Sequence, residues 1–109
     1  VDWNGLQGGV TREVMPSLEP YVPKWESFGW HAVDVPGHDI AALLTAYHEA
    51  RQVKDKPTVI VAHTVKGKGV SYMENKAEWH GGKVTKPLYE QAMSEINARL
   101  EALSVYAVV

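Results

Sequence analysis

Residues 30–62 read WHAVDVPGHDIAALLTAYHEARQVKDKPTVIVA, and this stretch decides the fold. WHAVDV, residues 30–35, alternates apolar and polar positions between Gly29 and Pro36, which is the pattern of a strand. Asp39 then stands where a helix needs a side-chain acceptor for its first free N–H groups. From there to Gln52, Ile40, Leu43, Leu44 and Tyr47 fall at i, i+3, i+4 and i+7, forming one apolar stripe. Ala41, Ala42, Ala46 and Ala50 add helix propensity and let the helix approach a sheet closely. Residues 54–57 are the turn, and TVIVA, residues 58–62, is continuous and β-branched, as in a parallel strand covered on both faces. Strand, helix, strand predicts a parallel pair joined by a right-handed crossover, and so an α/β fold.

Working outward, KWESF (residues 24–28) reads as a short helix stopped by Gly29. Residues 5–23 hold GLQGG, MPS and PYVP and read as connection, with room for one helical turn. Residues 1–3 read as the end of a strand that delivers Asn4 to a loop. Downstream, a helix is expected from Pro87 to Leu103, since proline suits a first helical position. Leu88, Ala92, Ile96 and Leu100 line one of its faces, and Glu95 with Arg99 offers an i, i+4 ion pair. In open parallel sheets ligands sit beyond the carboxyl ends of the strands. Asn4, Gly37-His38 and residues 64–80 all follow strand ends and should share one rim.

Composition narrows the function classes. The chain has 109 residues, enough for one domain or part of one. A net charge of −2 and the lack of a basic stripe argue against nucleic acid and anionic membranes. There is no cysteine, which removes disulfides, thiol catalysis and thiolate metal sites and fits a cytoplasmic setting. No apolar run approaches the ~18 residues of a membrane span. The first residues, VDWN, read as the remainder of a longer strand, and the apolar end SVYAVV suggests a piece of a larger protein.

TVKGKGVSYMENKAEWHG, residues 64–81, is the richest stretch for chemistry. Gly67 and Gly69 would let backbone amides approach an anion, with Lys66 or Lys68 nearby, although the spacing is not that of a P-loop. The bland alternative is a flexible turn. His80 is either a surface residue or a catalyst, and His63 ends a buried strand as a satisfied core histidine would. His31 and His48 read as structural. In DWNGLQ, Asn4 offers a hard amide oxygen suited to Mg2+ or Ca2+, or else simply makes a turn with Gly5.

Taken in order, DWNGLQ, Lys24-Trp25 with FGWHAVDVPGHD, KPTVIVAHTVKGKGVSYMEN and WHG resemble the second half of the pyrophosphate-binding domain of transketolases. The nearest likeness is to the N-terminal subunit of split transketolases, from Asp2 to about Leu103. The resemblance implies that residues 1–109 are the C-terminal portion of such a domain, with the half containing a GDG motif absent. It implies an enzyme that moves a two-carbon ketol unit between sugar phosphates, using thiamine diphosphate and Mg2+ or Ca2+. Asn4 and the Leu6 carbonyl would then be metal ligands beside the GDG aspartate. His63 and Gly67 would belong to the cofactor wall, and His80 would reach the diphosphate and act on substrate protons. The expected partners are an upstream segment or C-terminal transketolase subunit, in a homodimer or hetero-oligomer. The isolated chain should be inactive. A relative such as 1-deoxyxylulose-5-phosphate synthase and a non-catalytic structural fragment stay open as alternatives. Three departures stand out: no GDG aspartate, no pyrimidine-binding domain with its activating glutamate, and a GLQGGVT loop about one residue shorter than the family pattern.

Overall fold

The computed structural model describes residues 1–8, 10, 11 and 18–106. Its centre is the predicted parallel pair. Strand β4 (His31–Pro36) and strand β5 (Thr58–His63) run parallel in register from His31 opposite Thr58 to Pro36 opposite His63. On the other side of β5 lies β1 (Asp2–Trp3), also parallel, with Trp3 opposite His63. The order β1-β5-β4 makes β5 the middle strand, so its unbroken β-branched run is explained by neighbours on both edges. Val61 is wholly buried there, and Val59, Val35 and Ala46 are nearly so. Each buried valine contributes on the order of 1.5–3 kcal/mol.

Helix α2 (Ile40–Gln52) connects β4 to β5, and the Asp39 carboxylate accepts the Ala42 N–H at 3.0 Å as its N-cap. Its apolar stripe does not pack as a unit. Ala46 is buried and Leu43 half-buried, whereas Ile40, Leu44 and Tyr47 are 68%, 64% and 59% exposed. The helix rests on the sheet through its small residues and presents its large ones outward.

Helix α1 (Tyr21–Ser27) begins three residues before the expected start. Pro23 does not break it, because a first-turn residue has no intrahelical partner for the N–H that proline lacks. Lys24 Nζ donates back to the Leu18 and Glu19 carbonyls at 2.7 and 3.1 Å, fixing the approach to the helix. Gly29 ends it as expected, with φ 82° and its N–H donated to Glu26. The Trp25 ring then packs against that of Trp30, tilted by 60° with centroids 5.0 Å apart, tying α1 to the start of β4. Residues 5–11 are not plain connection. β2 (Leu6–Gln7) pairs antiparallel with β3 (Val10–Thr11), and Gly8 turns the chain at φ 54°. Residues 12–17, part of the stretch 5–23 in which one helical turn had room to form, lie outside the described residues.

Helix α3 (Lys86–Tyr106) is longer than expected. It is held by the loop before it: Tyr72 Oη donates to the Leu88 carbonyl at 2.8 Å, and Ser71 bonds Glu95. The expected Glu95–Arg99 ion pair is replaced, since the Glu95 carboxylate accepts from Ser71 and Gln91. On the face named for packing, Leu88 and Ala92 are half-buried while Ile96 and Leu100 are exposed, as are Tyr89 and Leu103. The radius of gyration, 17.5 Å, exceeds the about 13 Å of a compact chain of this size.

Backbone hydrogen bonds tie the strand ends together. The Gly37 N–H donates to the His63 carbonyl at 2.8 Å and the Thr64 N–H to the Trp3 carbonyl at 3.1 Å. A Cβ on Gly37 would lie 2.5 Å from Thr64 Cγ2 and 2.9 Å from the His63 carbonyl oxygen. Gly37→Ala should therefore destabilise by about 1–3 kcal/mol, as overpacking typically does. Gly81, whose Cβ would meet nothing within 4 Å, provides the control. Urea unfolding of both alanine variants checks this, and equal midpoints would contradict it.

Candidate functional site

The rim at the carboxyl end of the sheet is built from the β1 end, the β4–α2 turn and the long segment after β5. His38, in the turn, accepts the Val65 N–H on Nε2 at 2.7 Å, and the Thr64 hydroxyl donates to the Asp2 carboxylate. These contacts aim the chain from Thr64 onward into a compact loop. Gly67 and Gly69 turn with φ 73° and 100°, and the Asn75 N–H returns to the Lys66 carbonyl at 3.0 Å. A Cβ on Gly67 would come within 2.7 Å of the Met73 backbone, so glycine is required by both conformation and space. Val70 and Ala77 are buried inside this loop as a satellite of the main core. The glycine-lysine run is thus a folded turn, stitched at Gly69 by its N–H to the Glu74 carboxylate at 2.9 Å.

The loop ends in a 3-10 turn, Ala77–His80. Trp79 is fixed there by its indole N–H, which donates to the Tyr72 carbonyl at 2.8 Å, and by its ring, 5.1 Å from that of Tyr72. His80 follows directly and faces a cavity of about 150 Å3 lined by Asn4, Leu6, Gln7, Gly8, Lys66, Ala77 and His80. Asn4 is oriented by its side-chain oxygen, which accepts the Leu6 N–H at 3.0 Å in a local turn. That oxygen keeps a second lone pair. The structure therefore brings His80, from far along the chain, to the same cavity as the neighbouring Asn4 and Leu6.

His63 and Gly67 stand elsewhere. Gly67 shapes the loop and does not line the cavity. His63 is not a buried core histidine: its side chain is 46% exposed, and Nε2 lies 2.9 Å from Asp34 Oδ1. It lines a second cavity, about 200 Å3, with Glu19, Tyr21, Asp34 and three of the residues around α1. The Trp3 ring packs on it at 5.2 Å. Gln7 joins the first cavity; it closes the DWNGLQ motif, but sequence reasoning gave it no role. Lys66 joins it too, although KGKG after a strand end did not distinguish it from Lys68.

Two carboxylates brace the loop. Glu74 is held below its ordinary value of 4.5, first by the Gly69 N–H and then by Lys68, whose Nζ is 3.7 Å away. Glu95 is lowered to about 2, chiefly by the Ser71 hydroxyl and N–H and then by Gln91. Among the described residues no group of three or more His, Cys, Asp or Glu side chains could by itself hold a metal ion. No described helix is long and apolar enough to cross a membrane.

A fold with a parallel sheet and a small polar hollow at its carboxyl rim defines a class, and comparison with known proteins supplies the family. The chain belongs to the transketolase family, whose thiamine diphosphate binding domain matches it over residues 8–101. It is 40% identical over 104 residues to an apulose-4-phosphate transketolase subunit of Phocaeicola vulgatus, covering 94% of this chain and 37% of that protein. It is 38% identical over 96 residues to 6-deoxy-6-sulfo-D-fructose transketolase subunit SqwG of Clostridium sp., covering 87% and 34%. Transketolase of Homo sapiens is 34% identical over 102 residues, covering 94% and 16%. The chain thus spans little more than a third of the two bacterial subunits that it resembles.

A pH prediction follows from Glu74. Its folded-state value is depressed, so its bracing is complete above 4.5 and is lost as pH falls through the lower folded value. The Gly69 amide resonance should titrate with a midpoint below 4.5, and Glu74→Gln should abolish the titration. A midpoint at or above 4.5 would contradict the assignment.

Proposed function

We propose that this chain forms the diphosphate-holding part of a thiamine diphosphate-dependent transketolase, which moves a two-carbon ketol unit between sugar phosphates. The observation that carries the reading is the single cavity shared by Asn4, Leu6, Lys66 and His80. When bound, thiamine diphosphate supplies the carbanion chemistry that such a transfer needs. The cavity, at about 150 Å3, falls below the 300–1,000 Å3 usual for whole ligands and suits a diphosphate-sized group. The remainder of the cofactor would rest on surfaces that this chain does not supply.

The donor set fits that end of the cofactor. The Asn4 side-chain oxygen and the Leu6 carbonyl are hard acceptors, appropriate to Mg2+ or Ca2+ on a diphosphate. Two neutral oxygens are a weak set for a cation that seeks six, so a carboxylate from another part of the enzyme would complete it. Lys66 adds a positive charge at the cavity wall, where it offsets diphosphate charge. His80 would donate to the diphosphate or a substrate hydroxyl and carry a proton as C–C bonds break and form, which imidazole does near neutral pH. Gly67 contributes by shaping the turn that places Lys66. His63, paired with Asp34 one cavity away, borders the cofactor wall rather than the metal end.

The partner is a second transketolase subunit or the remaining part of the enzyme. The subunit names of two relatives support this, and so do the large apolar side chains exposed on α2 and α3. A dimeric or hetero-oligomeric, cytoplasmic, magnesium-dependent enzyme is the form that we assign.

Calorimetric titration of the assembled enzyme with thiamine diphosphate and Mg2+, with a ketol-transfer assay, tests the proposal. His80→Ala should lower turnover by about 100-fold or more while changing cofactor affinity little. Asn4→Leu should weaken Mg2+-dependent cofactor binding. Normal turnover in His80→Ala, or no cofactor binding by the native enzyme, would overturn the reading. The chain by itself should show no ketol transfer.

A further inference from the structure

Helix α3 touches no part of the Asn4–His80 cavity, yet one of its side chains makes two short bonds to the loop that does. Glu95 Oε2 accepts the Ser71 N–H at 2.6 Å, and Oε1 accepts the Ser71 hydroxyl at 2.6 Å and the Gln91 amide at 2.8 Å. Both carboxylate oxygens are therefore committed, and two of the three donors belong to one loop residue. Bonds of a carboxylate to N–H and O–H donors at such distances are charge-assisted and roughly twice as strong as neutral ones.

The contacts continue from Ser71 toward the cavity. Tyr72, the next residue, is pinned to α3 through its hydroxyl on the Leu88 carbonyl, and its own carbonyl takes the Trp79 indole N–H. The two rings pack at 5.1 Å. Trp79 immediately precedes His80, so Ser71, Tyr72 and Trp79 form a continuous path from the carboxylate to the imidazole.

Resting on the functional reading above, we propose that Glu95 is a positioning residue: it anchors Ser71 and, through Tyr72 and Trp79, sets where His80 stands in the cavity. The pKa of its carboxyl group, lowered to about 2, keeps the anchor ionised at any pH where the enzyme works. Arg99, the partner that helix spacing suggests, instead has its guanidinium close to Gly69, 3.1 Å from where a Cβ on that residue would stand. It contributes only a small part of the lowering at Glu95.

The test compares the native assembled enzyme with Glu95→Gln, Glu95→Ala, Ser71→Ala and Ser71→Thr. Glu90→Gln serves as a control, since Glu90 sits on the same helix and faces Lys86. Three quantities are measured: thiamine diphosphate affinity with Mg2+, turnover, and the His80 Cε1–H resonance without cofactor. Glu95→Ala should lower turnover by about tenfold or more, because small misplacements of a reacting group are costly, with cofactor affinity within about twofold of native. Glu95→Gln should fall between Glu95→Ala and native. Ser71→Thr, which keeps both donors, should match native, and the Ser71→Ala/Glu95→Ala double variant should be no worse than Glu95→Ala. The His80 resonance should move in Glu95→Ala and stay in Glu90→Gln.

Unchanged turnover in Glu95→Ala, or equal loss of turnover and cofactor affinity, would overturn the positioning role. If the native enzyme bound no cofactor, the functional reading would fail while the His80 resonance still decided the anchor. A shift confined to the Glu95 and Ser71→Ala variants would support it, and no shift would sink it.

Discussion

The arrangement depends on β5 being the middle strand. Because β1 and β4 both pair with it in parallel, the chain leaving His63 emerges at the centre of the carboxyl rim, between the ends of its two neighbours. Three contacts then fix the exit: Gly37 N–H to His63, Thr64 N–H to Trp3, and Val65 N–H to the His38 ring. Each joins β5 or the residues after it to the end of a neighbouring strand or the turn beyond it. The lack of a side chain at Gly37 is what permits the first of them. Asn4 and the loop bearing Lys66 and His80 come together as a consequence of sheet order, with no need for either segment to find the other unaided.

What the sheet positions, the loop elaborates. Positive φ at Gly67 and Gly69, burial of Val70 and Ala77, and the carboxylates of Glu74 and Glu95 make residues 64–80 a small folded body with its own core. Helix α3 is fastened to that body through Ser71 and Tyr72 rather than laid across the sheet. The outward apolar side chains of α2 and α3 have the same physical meaning. Each large side chain left in water forgoes about 1.5–3 kcal/mol, and net stabilities of whole domains are only about 5–15 kcal/mol. Covering these stripes, as the proposed assembly would, therefore contributes strongly to stability.

Sequence patterns revealed what depends on local periodicity. The alternation of β4, the apolar run of β5 and the Asp39 cap were readable because each is encoded within a few adjacent residues. α1 was placed late because Pro23 looks like a breaker, although the first turn of a helix tolerates it. The β2–β3 ribbon, two residues on each side, is too short to show any period. The stripe on α2 was visible as a stripe, but amphipathicity does not say which residues of it the sheet receives. Glu95 shows the limit most directly: helix spacing offers Arg99, whereas the partner chosen is Ser71, on the loop before the helix. Within the site, family resemblance pointed to Asn4, Leu6 and His80, which share a cavity, and to His63, which the structure gives to Asp34. Gln7, and the choice of Lys66 over Lys68, needed the tertiary fold to be seen.

The central claim is that the metal and diphosphate end of the cofactor occupies the Asn4–His80 cavity rather than the one beside Asp34 and His63. Replacing Mg2+ by paramagnetic Mn2+ in the assembled enzyme with thiamine diphosphate tests this directly, because nearby nuclei relax faster. The account predicts strong broadening of the Asn4 side-chain amide, the Leu6 backbone amide and the His80 ring, with His31 and His48 unaffected. Broadening centred on His63 and Asp34, with Asn4 and His80 left sharp, would contradict it.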